Sequence, residues 1–203
     1  MIGILSYGIG NVGSIRNMLK KAGAVSVIVQ TADELSACDK LILPGVGAFD
    51  TGMDLLNKSG MRHALDDAVQ GGKPLLGICL GMQMLGEKSE EGKLAGLSYI
   101  PFHNVRFRLD PAQYKVPHMG WNYVTITDET DPLVKGLSEK QRYYFVHSYH
   151  AQCSDNRDAL MLCDYGYSFT AAVRRGNVWG TQFHPEKSHR FGMALFKYFA
   201  EEC

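Results

Sequence analysis

The sequence predicts an α/β fold: a mostly parallel central sheet with helices on both faces, extended by antiparallel strands in the C-terminal half. Three observations predict it. Through residues 1–90, short apolar runs alternate with stretches of helical periodicity, the order expected of consecutive β-α units. After Gly92 the helical period gives way to strand-like segments that follow one another closely, the habit of antiparallel strands. The composition, 45% hydrophobic and 21% charged, is that of an ordinary globular chain.

The elements follow in order. Ile2 to Tyr7 is a short apolar run ending at glycines and reads as a buried strand. Ser14 can cap a helix in which Ile15, Met18, Leu19 and Ala22 recur on one face, with Gly23 as its stop. Val25 to Val29 and Lys40 to Leu43 are the next strands, the second broken by Pro44-Gly45-Val46-Gly47. Met53, Leu56, Ala64, Leu65 and Ala68 fit one or two helices interrupted near Ser59-Gly60. Lys73 to Ile78 is a strand, and Leu80 to Leu85 begins a helix. The later segments Val105–Leu109, Tyr123–Thr127, Tyr143–His147, Leu160–Cys163, Ser168–Val173 and Val178–Phe183 are strand-like, and Ser188 to Ala200 is an amphipathic helix. No repeat, linker or low-complexity segment divides the 203 residues, so one domain over 1–203 is expected.

Several function classes are disfavoured at once. Lys plus Arg and Asp plus Glu are equal at 21 each, which argues against a nucleic-acid or anionic-membrane binder. The uncharged apolar stretch from Pro74 to Gly86 is shorter than the ~18 residues a spanning helix needs. Met1 leads into Ile2-Gly3-Ile4 with no basic n-region or cleavage site, and the five scattered cysteines include no Cys-x-x-Cys pair. A cytoplasmic chain without disulfides or zinc is expected.

Gly8-Ile-Gly10-Asn-Val-Gly13 matches a dinucleotide-binding turn, after a strand and opening a helix. The carboxylate that should end the second strand is missing: that strand ends at Gln30, with Asp33 displaced beyond it. A tight strand-to-helix turn is the better reading.

Gly77-Ile78-Cys79-Leu80-Gly81 has a stronger claim. It joins an apolar strand to a helix in the form G-x-C-x-G, the thiol counterpart of a nucleophile elbow. The turn is strained, and only small residues fit on either side of the nucleophile. Cys79 is the candidate nucleophile, and the Leu80 backbone N–H is placed to meet an oxyanion. Without a partner, a cysteine in an apolar strand is simply a small buried hydrophobe. A base is therefore needed. Of the seven histidines, His63 reads as solvent-facing, and His103 and His118 lie in loop-like segments. His147 and His150 flank a strand end, with no further ligand at metal-binding intervals. His184 ends a strand at Pro185, and Glu186 follows two residues on, placed to take the Nδ1–H and leave Nε2 for sulfur. A strand-end histidine beside a surface glutamate is the alternative.

Cys79 within Gly-Ile-Cys-Leu-Gly-Met-Gln, together with His184-Pro-Glu186 and the Pro44-Gly45-Val46-Gly47 turn, resembles the class I, triad-type glutamine amidotransferases. The likeness covers essentially the whole chain. Tyr7-Gly-Ile-Gly-Asn11, Leu43-Pro-Gly-Val-Gly47, His118-Met-Gly-Trp-Asn122, Tyr144-Phe-Val-His-Ser-Tyr149 and Phe183-His-Pro-Glu-Lys187 are more narrowly similar to the glutaminase subunits of imidazole glycerol phosphate synthases. The resemblance implies a flavodoxin-like fold and hydrolysis of glutamine by Cys79, His184 and Glu186. It implies an oxyanion hole from Val46, Gly47 and Leu80, and glutamine contacts from Gln83, Ser148 and Tyr149. It implies no cofactor or metal, and a (β/α)8-barrel cyclase subunit as partner that takes up the ammonia. Asn11, Trp121, Tyr144 and Lys187 are the candidate interface residues, with Trp121 either an exposed anchor or a core side chain. The glutaminase of another synthase, of the anthranilate or aminodeoxychorismate type, is the nearest alternative. A thiol hydrolase and a silent dinucleotide-binding module are more distant ones.

Overall fold

A computed structural model describes residues 1–138 and 140–203. The first half winds as expected: β1 (Ile2–Leu5), α1 (Val12–Lys21), β2 (Ser26–Val29), α2 (Ala32–Ser36), β3 (Lys40–Gly45), α3 (Phe49–Lys58), α4 (Arg62–Gln70), β4 (Leu75–Cys79) and α5 (Leu80–Met84). The second half adds β5 (Lys88–Ser89), β6 (Phe102–Arg106), β7 (His118–Ile126), β8 (Gln141–His147), β9 (Tyr149–Cys153), β10 (Ala159–Tyr165), β11 (Tyr167–Arg175), β12 (Val178–Thr181) and α6 (His189–Glu201).

The sheet runs β2-β1-β3-β4-β12-β11-β10-β7-β8. The strands from β2 to β12 pair in parallel, and those beyond β12 are antiparallel. The order 2-1-3-4 followed by one more parallel strand is the flavodoxin-like winding. Its last parallel strand comes from the far end of the chain, so the C-terminal strand β12 lies directly beside β4.

Side chains alternate across the sheet because successive strand residues face opposite sides. Ile42 joins the layer under α1 and α6, with Ile15, Leu19, Leu195, Phe196 and Phe199. Leu41 and Leu43 join the opposite layer, with Leu35, Phe49, Met53, Leu56 and Leu65 from α2, α3 and α4. Each helix buries one stripe, so both faces of the parallel sheet are covered.

Several boundaries differ from expectation. The first helix starts at Val12 with Asn11 in the cap position and no side-chain cap bond, so Ser14 lies inside it. The third strand continues through Pro44 to Gly45, where Pro44 needs no N–H because β4 bonds from its other side. The short helix α2 is closed by a reciprocal Thr31–Glu34 capping box. Asp33 falls in the first turn of this helix, past the strand end where a dinucleotide-binding fold carries its ribose-binding acid. Gly8 and Gly10 both take positive φ, 103° and 101°, and a Cβ on Gly10 would meet Pro44 Cβ at 2.9 Å. The glycines make the tight turn. His103 and His118, expected in loops, lie in β6 and β7, and Tyr149–Cys153 forms a strand of its own.

Candidate active site

Register explains why distant residues meet. Gly45 pairs with Cys79 across β3 and β4, and Thr181 pairs with Ile78 across β12 and β4. Three parallel strands thus end together at their carboxyl edge, where open α/β sheets place ligands. Val46-Gly47 continues from the first, Cys79 ends the second, and Gln182 to His184 continue from the third.

Cys79 has φ +55° and ψ −111°, a left-handed conformation that L-residues avoid. The glycines around it are required by close approach. A Cβ on Gly77 would lie 2.8 Å from the Gly81 carbonyl oxygen and from the Met82 nitrogen, and one on Gly45 would lie 2.8 Å from the Gly81 nitrogen. Backbone touches backbone here, and the elbow is what remains when side chains are excluded.

The His184 and Glu186 side chains are 2% and 1% exposed, with Nδ1 2.8 Å from Oε1. A hydrogen bond from the ring to the carboxylate leaves Nε2 free, and Nε2 has no partner of conventional geometry among the described residues. Burial pulls the His184 pKa down. The Cys79 sulfur beside the ring and the Glu186 carboxylate bonded to it outweigh burial, and the imidazole is raised to about 9. Its turn is anchored by the His184 N–H donating to the Tyr144 carbonyl at 2.9 Å, and by Ser188 Oγ bridging the His184 carbonyl and the Tyr144 N–H at 2.6 and 3.0 Å.

A cavity of about 340 Å³ opens here, lined by Val46, Gly47, Cys79, Leu80, Gln83, Glu91, Pro117, Val146, His147, Ser148, Tyr149 and His184. Every residue expected to react, to hold an oxyanion or to contact glutamine lines it except Glu186, which stands behind His184. Gly47 is exposed at φ +100°. Leu80 opens α5, so its N–H has no acceptor within that helix. Gln83 Nε2 donates to the Tyr149 carbonyl at 3.2 Å and to Gln182 Oε1 at 3.1 Å.

The expected interface residues fall in two places. Trp121 is 42% exposed, opposite Tyr144 in register, with ring centroids 6.4 Å apart. Lys187 Nζ sits 5.8 Å from the centroid of the Tyr144 ring. Asn11 stands at the head of α1, which packs against the Pro185–Lys187 turn.

Residues missed at the sequence level also contribute. Gln182 is fully buried, and its Nε2 lies 3.9 Å from Cys79 Sγ. A lone amide in the apolar run before His184 was the available signal. Tyr7 Oη donates to the Pro44 carbonyl at 2.6 Å and steadies the end of β3. The Glu91 carboxylate accepts from the Phe49 N–H at 2.9 Å and so closes the start of α3. No signal in the sequence pairs residues so far apart. Among the described residues, no group of His, Cys, Asp and Glu could hold a metal ion, and no helix is long and apolar enough to cross a membrane.

The chain matches the family described as glutamine amidotransferase class-I over residues 4–203. It is 51% identical to the imidazole glycerol phosphate synthase subunit HisH 2 of Pseudomonas aeruginosa, over 99% of each chain. Identity is 48% to the HisH 2 subunit of Methanococcus maripaludis over 100% of each, and 46% to HisH of Leptospira interrogans over 98% of this chain and 99% of that one. Among solved structures, a glutamine amidotransferase superposes with a TM-score of 0.74 at 21% identity, covering 98% of this chain and 97% of the other. PurLQS from Thermotoga maritima superposes with 0.73 at 19%, covering 98% and 96%, so both share the fold. The chain therefore belongs to the class-I glutamine amidotransferase family, and its full-length similarity sets it beside the HisH subunits of imidazole glycerol phosphate synthase.

Proposed function

We propose that this chain, a single domain over residues 1–203, is the glutaminase subunit of an imidazole glycerol phosphate synthase. The observation that carries the reading is the strained Cys79, held between close-packed glycines at the cavity lined also by His184, with Glu186 bonded to the far side of the ring. Full-length identity to HisH subunits supports the choice of synthase.

Cys79 gives its proton to His184 Nε2 as the sulfur attacks the side-chain amide carbon of glutamine, and an imidazole raised to about 9 holds that proton at neutral pH. The oxyanion accepts hydrogen bonds from the Leu80 N–H and the Val46-Gly47 turn, an interaction worth a hundredfold or more in rate per donor in typical hydrolases. Collapse breaks the C–N bond while His184 gives its proton to the departing ammonia. A γ-glutamyl thioester remains. Neutral His184 then takes a proton from water, hydroxide adds to the thioester, and glutamate leaves with the thiolate restored. Glu186 holds the ring in the required orientation throughout. Gln83 and the Ser148-Tyr149 backbone hold the amino-acid end of the substrate.

The ammonia passes to a (β/α)8-barrel cyclase subunit that makes imidazole glycerol phosphate and AICAR in histidine biosynthesis. That subunit docks on Asn11, Trp121, Tyr144 and Lys187, in the cytoplasm, and neither half of the glutaminase step needs a cofactor. The test is glutamine hydrolysis by the chain with the barrel subunit, and labelling by a glutamine-mimicking electrophile. Cys79→Ala is expected to abolish both. Turnover surviving in Cys79→Ala refutes the mechanism. Stimulation by an anthranilate-type synthase subunit instead of the barrel refutes the assignment to this synthase.

A further inference from the structure

A pair of buried histidines, His147 and His118, lies beside the active-site cavity. Their chemistry is defined by what they touch. His147 Nδ1 lies 2.7 Å from the Tyr149 carbonyl oxygen. A carbonyl only accepts, so Nδ1 carries the hydrogen and Nε2 of the neutral ring is an acceptor. His118 Nδ1, 3.1 Å from that Nε2, must then donate. His118 Nε2 is left to accept, and the Asn122 amide nitrogen lies 3.4 Å away. The Asn122 amide is itself oriented, since Oδ1 accepts from the Tyr123 N–H at 2.8 Å and Nδ2 donates to the Asp164 carbonyl at 2.9 Å. Every bond in the series points the same way, from Asn122 towards Tyr149.

Both rings are buried, 3% and 5% exposed, among Phe107, Phe145 and Phe169. Burial holds His118 to a pKa of about 4 and His147 to about 3, so the neutral tautomers persist at neutral pH. At the far end, the Tyr149 carbonyl also accepts from Gln83 Nε2, whose second hydrogen goes to Gln182 Oε1. Both Gln83 N–H groups are thereby occupied, and the acceptor Oε1 is the polar atom left for an ammonium group.

We infer that His147 and His118 are positioning residues for glutamine, a one-way hydrogen-bond series that holds the Tyr149 carbonyl and, through it, the orientation of the Gln83 amide. The inference rests on the function proposed above. Neither histidine touches the reacting atoms. The series starts on β7 next to Trp121, so it also joins the expected partner face to the glutamine pocket.

The test uses the chain assembled with the cyclase subunit. His147→Phe keeps an aromatic ring and removes both nitrogens. It is expected to raise the KM for glutamine about tenfold or more while kcat changes less than about threefold. Alkylation of Cys79 by iodoacetamide, which needs no glutamine subsite, stays at the wild-type rate. His147→Asn, with an amide N–H at the Nδ1 position, is expected to return KM to within about threefold of wild type. An unchanged KM in His147→Phe, or a rise that His147→Asn does not reverse, overturns the inference. If His147→Phe does not fold, Asn122→Leu at the half-exposed end decides: a KM-specific rise supports the series and a wild-type KM overturns it. A wild-type complex without glutaminase activity refutes the proposed function, whereas an active wild type with indifferent variants refutes only the histidine series.

Discussion

Gly81 lies so close to Leu43 that a Cβ built on it would sit 1.9 Å from the Leu43 carbonyl oxygen. The backbone of β3 runs directly against the first turn of α5, and the elbow holds its shape only while nothing separates them. Gly81→Ala must push these segments apart. It is expected to lower the free energy of unfolding by about 3 kcal/mol, the upper end for overpacking, and to abolish glutaminase activity. Urea denaturation followed by circular dichroism measures the first, and a loss under about 0.5 kcal/mol would show that the elbow relaxes freely.

His184 is expected to titrate near pH 9, observed through its ring protons by NMR. Because this folded-state value lies above the ordinary 6.5, its contribution to stability is complete below about pH 6.5 and is lost as pH rises through about 9. Cys79→Ala and Glu186→Gln each remove a group that raises it, so each should move the midpoint down. A wild-type midpoint at or below 6.5 contradicts the described pairing.

Gly47 separates strain from packing. Its φ is +100°, yet a Cβ there would meet nothing within 4 Å. Gly47→Ala therefore introduces backbone strain of about 1–3 kcal/mol, which the exposed turn relieves by changing conformation. The melting temperature should move little, while kcat falls tenfold or more as an oxyanion donor is displaced. Unchanged kcat would remove this turn from the oxyanion hole.

Trp121 stands exposed on β7 with Met119 and Tyr123 on the same side of the strand. Trp121→Ala is expected to weaken binding to the barrel subunit about tenfold or more, as loss of an aromatic anchor does, without changing the melting temperature of the free chain. Calorimetric titration of the two subunits reads this directly. Wild-type affinity would place the interface elsewhere.

The parallel half of the fold was legible because its signals are local. Apolar runs such as Ile2 to Tyr7 stop at glycines, and Ile15 and Leu19 recur at helical spacing. The ends were less so. Ser14 has the chemistry of a cap, but the helix starts before it, and β3 outlasts Pro44 because neighbouring β4 supplies the pairing. His118 follows Pro117 and precedes Met119-Gly120, and so reads as loop; only its partner strand β8 makes it part of a sheet and buries it.

The kinds of group at the site are written locally in the chain: a cysteine between glycines at a strand-to-helix turn, and a histidine stopped by proline with a carboxylate two residues on. Those are short-range steric facts. That β12 inserts next to β4, and with it that residues 79 and 184 share one cavity, follows from the folding of the whole chain. Strand order depends on which apolar faces must be covered by which helices, and no local pattern encodes that. The roles of Gln182, His147 and His118 were hidden for the same reason, because each is defined by partners brought near it through sheet pairing and burial.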